Sequence, residues 1–243
     1  MAEAAFWGLL GASSLIIGAE VAFGIRLNRL VVGLIMAFGV GALISSVSFE
    51  LVVPALEAVE FWEVAAGLIA GALAFFLGDR LINQLGGANR KSSVASEEEN
   101  SGMGIALGTF LDGIPESAVL GMSLVGGEGV STALLAGIWV SNLPESLGST
   151  VNLDNTDMSR RAIRLLWLAI VAVSALAAAI GFAFVDGSSS RSGALIQTFA
   201  AGALLTMIAD EMAPEAYERS NLYAGLATVA GFALAVFLTS VEG

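Results

Sequence analysis

Residues 102–126 read GMGIALGTFLDGIPESAVLGMSLVG, and residues 130–151 read VSTALLAGIWVSNLPESLGSTV. Each stretch is apolar over about 20 residues, long enough to cross the hydrocarbon of a bilayer, and each carries a proline–glutamate pair near its middle. The phrases DGIPES (112–117) and SNLPES (141–146) are offset by 29 residues. Proline breaks the helical hydrogen-bond ladder, and an Asp at the centre of a spanning helix costs about 2.5–3.5 kcal/mol. Neither feature belongs in an ordinary spanning helix. Each of the four prolines, Pro54, Pro115, Pro144 and Pro214, lies within four residues of an acid in an apolar segment, these acids being Glu50, Glu116, Glu145, Asp210 and Glu211. The pattern reads as a cation pathway lined by carboxylates and freed carbonyls.

The surrounding chain agrees with a membrane setting. Its 243 residues are 56% apolar and only 13% charged, with 29 glycines, too apolar for a soluble domain. Apolar stretches at about 4–24, 31–56, 64–82, 102–126, 130–151, 163–185, 193–217 and 222–241 predict eight transmembrane helices. The expected fold class is therefore an all-α integral membrane protein, with residues 1–243 forming a single transmembrane domain. The stretch 83–101, NQLGGANRKSSVASEEENS, is the one clear linker, and its Glu97–Glu99 run reads as solvated surface. Cysteine and histidine are both absent, which excludes disulfides, thiolate sites and imidazole ligands. The start lacks the positive region of a signal peptide, so the first segment reads as a retained helix. The net charge of −12 comes without a basic patch, so nucleic acid is excluded as a partner. The expected partners are the lipid bilayer and a cation.

Basic residues orient the chain. With eight helices, Arg26, Arg29, Arg80, Arg90, Lys91, Arg160, Arg161, Arg164 and Arg219 fall on one side, and Arg191 alone on the other. The positive-inside rule then puts both termini outside a plasma or inner membrane and the 83–101 loop in the cytoplasm. Residues 37–77 also align without gaps on 198–238, with 13 identities in 41 positions that include Gly41 on Gly202 and Glu50 on Glu211. The first three helices would thus match the last three in inverted orientation, with the fourth and fifth as a central pair. That is a plan used by secondary transporters with a site near the midplane.

Within the two phrases, Asp112 and Glu116 are four residues apart and share a helix face, as do Ser141 and Glu145. Asn142 lies between the latter, and Pro115 and Pro144 free the carbonyls of Leu111 and Val140. These oxygen donors converge at one depth and suit hard or borderline divalent cations. Glu50 and Glu211 sit toward opposite ends of their helices, as matching acids on the two approaches or as helix-end groups near the headgroups. Ser45, Ser46, Ser48 and Met207 read as packing residues. The GxxxG pairs Gly67–Gly71 and Gly104–Gly108 fit internal packing better than a homodimer face.

On these residues the chain resembles the ZIP family of divalent metal transporters over nearly its whole length. The family's fourth-helix phrase, His-Asn-x-Pro-Glu-Gly, appears here as DGIPES, and its fifth-helix x-x-x-Pro-Glu phrase as SNLPES. The resemblance implies metal ligands at Asp112, Glu116, Ser141, Asn142 and Glu145. It makes Glu211, or less directly Asp210, an accessory ligand in the segment AGALLTMIADEMAPEA. Asp112 and Gly113 replace the family's histidine and asparagine, and the histidine-rich loop is missing. The implied function is transport of a divalent cation such as zinc, iron or manganese by alternating access, with the metal as substrate and no cofactor. Two alternatives are a ZIP-like transporter of another cation or of protons, and an intramembrane metalloenzyme, for which the usual HExxH signature is absent.

The orientation yields a direct prediction. Single cysteines at Ser93 and Ser159 are expected to label only from the cytoplasmic side, and one at Gly187 only from outside. Labelling at position 93 from outside would rule out the termini-out arrangement.

Overall fold

A computed structural model describes residues 1–25, 28–82, 102–125 and 129–242, with backbone only for 82, 102–109, 111, 112 and 242. The predicted 83–101 linker lies outside the described residues. Everything described is helix or connecting turn, with no strand among the described residues. The helices are α1 (Ala2–Gly24), α2 (Arg29–Ser46), α3 (Val53–Ala58), α4 (Phe61–Ile82), α5 (Gly102–Met122), α6 (Thr132–Asp154), α7 (Arg160–Asp186), α8 (Ser190–Met207), α9 (Ala213–Ser220) and α10 (Ala224–Glu242). The described parts of the apolar stretches predicted from the sequence fall mostly on these helices.

Two joints were not foreseen. α2 runs into α3 through a π-helical turn, Val47–Val52, and α8 runs into α9 through another, Ile208–Met212. Each turn carries one of the paired acids, Glu50 or Glu211, and each is followed by a proline, Pro54 or Pro214, at the first turn of the next α-helix. Proline lacks an N–H to give, and a π turn absorbs the displaced carbonyl without ending the rod. Pro115 and Pro144, by contrast, sit inside helices that continue through them. Helix starts follow ordinary capping. Asn28 accepts from the Leu30 N–H at 2.9 Å, and Ser131, Ser159 and Ser189 cap α6, α7 and α8 in the same way.

Five helical stretches among the described residues are long and apolar enough to cross a membrane: Ala2–Gly24, Arg29–Ala58, Phe61–Leu81, Arg160–Asp186 and Ser190–Val241. Their outward faces are greasy. Phe61, Trp62, Ile69, Leu73 and Leu77 on α4 are exposed, as are Leu165, Leu168, Leu176, Ile180 and Phe184 on α7. Exposed rows of this kind suit lipid, since lipid tails are as apolar as the side chains themselves. α6 is more polar, because Ser141, Asn142, Glu145, Ser146, Ser149 and Thr150 replace the aliphatic residues of its neighbours.

Two sets of helices pack within themselves. α1 lies against α6 and α7, with α5 on α7, while α2 pairs with α10 and α4 with α8; α2 then faces α6 across the middle. The second set closes on glycines. A methyl group at Gly41 would stand 1.8 Å from the Thr228 carbonyl oxygen, and one at Gly71 would stand 1.8 Å from that of Phe199. Gly202 meets the Leu68 carbonyl, and Gly231 that of Phe38, in the same manner. Small residues at crossings let backbones touch, the main attraction left once hydrophobic burial is cancelled by lipid.

Ion pairs tie the ends. Arg29 on α2 bonds Glu218 on α9 at 2.7 Å, and Arg164 on α7 holds Glu20 on α1. Arg160 binds Asp154 and stacks over Phe23. At the opposite end Arg191 bonds Glu63, joining α8 to α4. Arg29, Arg160, Arg164 and Arg219 thus share one end of the bundle and Arg191 the other.

The crossings predict a sharp contrast. Gly41→Val is expected to lower thermal stability by more than about 3 kcal/mol, since its new methyls strike backbone rather than a yielding side chain. Gly225→Val, where a methyl meets nothing within 4 Å, is expected to change little. Equal melting temperatures for the two variants would contradict the packing.

Candidate functional site

The two proline–glutamate phrases meet through Glu116 and Ser141. Glu116 on α5 is 2% exposed, and its Oε1 lies 3.4 Å from Ser141 Oγ on α6. Ser141 Oγ is nearer the Ile138 carbonyl, at 2.9 Å. A hydroxyl has one hydrogen, so the better bond goes to Ile138 and leaves Glu116 weakly served. Among the described residues Glu116 Oε2 has no hydrogen-bond partner. A buried polar atom left without a partner costs about 1–3 kcal/mol, and more when charged. Residues 102–151 contain no Lys or Arg that could neutralise it.

The walls come from five helices. Asn142 is buried, and its Nδ2 donates to the Gly11 carbonyl of α1 at 3.5 Å. Gly39 of α2 abuts Ser141, where a methyl would stand 3.0 Å from the Ser141 Cα. Glu145 is half-buried one turn beyond Ser141 on α6, and Pro144 between them is buried. Asp112 lies one turn before Glu116 on α5, but its side chain is outside the described atoms. Gly113, next to it, faces the Ser174 hydroxyl of α7, which a methyl at Gly113 would meet at 3.6 Å. Oxygen donors of this type offer a divalent cation carboxylate, amide and hydroxyl ligands.

The remaining predicted acids stand apart from Glu116 in character. Glu50, in the first π turn, is half-buried, and its Oε1 accepts from Thr239 Oγ1 of α10 at 2.8 Å. Glu211 is half-buried in the second π turn, while its neighbour Asp210 is exposed. Asp210 borders a groove of about 390 Å³ between α4 and α8, lined by Leu68, Ile69, Ala72 and Leu205. Among the described residues no three Asp or Glu side chains gather into one metal-holding group. The arrangement is therefore a buried carboxylate with polar neighbours on α6, and further acids spaced along the flanking helices.

Two side chains read from sequence as packing stand out in the structure. Ser45 and Ser46 on α2 are fully buried, and neither hydroxyl has a hydrogen-bond partner among the described residues. Serines in membrane helices usually bond back to their own helix, as Ser48 does to Ile44 at 2.7 Å. Only their polarity in an apolar run could have marked them in advance.

No family model matches the chain. A protein of Arabidopsis thaliana described as a "putative zinc transporter" is 25% identical over 207 residues, or 84% of this chain. The match takes in 33% of that relative, so the chain spans about a third of its length.

A carboxylate kept for binding rather than for packing makes a stability prediction. Glu116→Met preserves volume and removes the unpartnered oxygen, so the metal-free protein is expected to melt at an equal or higher temperature. A marked fall in melting temperature would assign Glu116 to the scaffold instead.

Proposed function

We propose that this chain is a ZIP-like transporter of divalent metal cations, with the ion held between α5 and α6. The observation that carries this reading is Glu116, buried in an apolar bundle, with no base and no partner for one oxygen among the described residues, and the other oxygen near Ser141. An incoming cation would supply the missing charge. Similarity to a plant protein described as a putative zinc transporter supports metal as the cargo.

In this reading residues 1–243 form one transmembrane domain of eight spans. α2–α3 and α8–α9 each count as a single bent span, and both termini lie outside a plasma or inner membrane. The end of the bundle that holds Arg29, Arg160, Arg164 and Arg219 would face the cytoplasm. Support for an inverted repeat comes from the matched positions Gly41 and Gly202, each sitting at a backbone crossing, and from the π turns at Glu50 and Glu211. The ligand set is Asp112, Glu116, Ser141, Asn142 and Glu145, with Glu211 as an accessory ligand, Asp210 beside it and Glu50 on the other approach. The metal crosses as substrate, with no chemical conversion and no cofactor, while the site opens first to one side and then to the other.

Glu116→Gln and Glu145→Gln keep shape and remove charge. Each is expected to cut metal uptake in proteoliposomes by at least about tenfold while the protein stays monodisperse, losing more than 1.4 kcal/mol of ion stabilisation. Full uptake by Glu116→Gln would overturn the site.

Metal preference follows from the ligands. Carboxylate, amide and carbonyl oxygens favour manganese and magnesium more than imidazole does, although zinc still binds by the Irving–Williams order. Protons compete with metal ions for the same carboxylate oxygens, so uptake is expected to fall at mildly acidic pH. Asp112→His supplies the nitrogen ligand of the family phrase, and the zinc-to-manganese affinity ratio is expected to rise in a competition assay. An unchanged ratio would mean that Asp112 does not meet the ion.

A further inference from the structure

Along α2 the polar groups form a series. Gly39 lies against Ser141, beside Glu116. Ser46 is seven residues further on, which returns it to nearly the same helix face about 10 Å along the axis. Ala42, between them on that face, packs on Gly137 of α6. Ser45 adjoins Ser46 on the side turned toward α10, one turn beyond Gly41, where a methyl would run into the Thr228 carbonyl. One turn past Ser46 comes Glu50, held by Thr239 of α10. From Glu50 to Glu116 the order is therefore acid, two hydroxyls, then the central acid.

The two hydroxyls are unlike their counterparts. Ser48 bonds back to Ile44, and Ser141 to Ile138. Thr206, which occupies the position matching Ser45 at the 161-residue offset, bonds back to Gly202 at 2.9 Å. Ser45 and Ser46 are 0% exposed and leave their oxygens without any partner among the described residues. A serine that only packs has its own helix carbonyl within reach. Two adjacent serines that decline it present oxygen to something else.

We propose that Ser45 and Ser46 line the outer leg of the cation path, between Glu50 and the Glu116–Ser141 site, and exchange with water in the ion's coordination shell as it passes. The proposal rests on the transport reading above. Hydroxyl oxygens suit a hard divalent cation and carry no charge. They hold it weakly, which conduction through successive sites requires, since a site that binds too well does not release. The carboxylates at either end supply the attraction and the hydroxyls supply the steps between them.

The chain has no native cysteine, so one thiol can be placed at a time. Ser45→Cys and Ser46→Cys are close in size to the native residues. Ser14→Cys serves as the control, because Ser14 is equally buried on α1 but bonds back to Gly11. Each variant, in proteoliposomes of known orientation, is treated from outside with a membrane-impermeant cationic methanethiosulfonate. Positions 45 and 46 are expected to react and position 14 to stay inert. Manganese at about ten times its half-saturating concentration is expected to slow the reaction about tenfold, because only unoccupied paths react. Should both thiols prove as inert as the control while the protein still takes up manganese, the leg is wrong and the transport reading survives. Should they react without protection by manganese or zinc, and the native protein take up neither, the transport reading fails and the cation assigned to this leg fails with it.

Discussion

A carboxylate shut inside an apolar helix bundle, with no base to pair with among the described residues, constrains everything around Glu116. Burial makes its charge expensive, and the nearest help is a hydroxyl already bonded to its own helix. The remaining structure is arranged so that this one group can persist. Gly11 and Gly39 let α1 and α2 close in on α6 at the level of Asn142 and Ser141. The ion pairs that could have quenched an acid, such as Arg29 with Glu218 and Arg191 with Glu63, are kept at the ends of the bundle.

That separation follows from membrane physics. Without a hydrophobic drive between helices, close contact must come from small residues, and the chain supplies glycine where backbones cross. Large apolar side chains are displaced outward instead, onto the exposed faces of α4, α7 and α10. Tight crossings at Gly41, Gly71, Gly202 and Gly231 close one helix set, and Gly121 and Gly181 close α5 on α7 in the same way. Several buried polar groups, Glu116, Ser141 and Asn142 among them, gather where α5 and α6 meet α1 and α2.

Much of the fold was legible in the sequence, because hydropathy and length mark helices well when lipid requires every backbone group to be bonded within its own segment. The helical rods coincide with the apolar stretches, and the offset phrases anticipated that α5 and α6 would bring Glu116 and Ser141 together. The π turns were not legible. They depend on where a displaced carbonyl finds room, and by adding a residue to one turn they reset the faces that follow. In the second of them Asp210 is exposed and Glu211 half-buried, a distinction the string ADEM does not contain. Ser45 and Ser46 were read as packing for a related reason. Whether a serine bonds to its own helix or turns away depends on what packs around it in three dimensions, which the local string does not contain.

The central claim is that a cation completes the Glu116 site and crosses with it. Uptake of radioactive zinc, manganese and iron into proteoliposomes of the native chain tests it most directly, against empty liposomes under the same gradient. The account predicts saturable, protein-dependent uptake of at least one of these ions, with the others competing. Uptake no faster than in empty liposomes for all three, from protein that is folded and inserted, would contradict it.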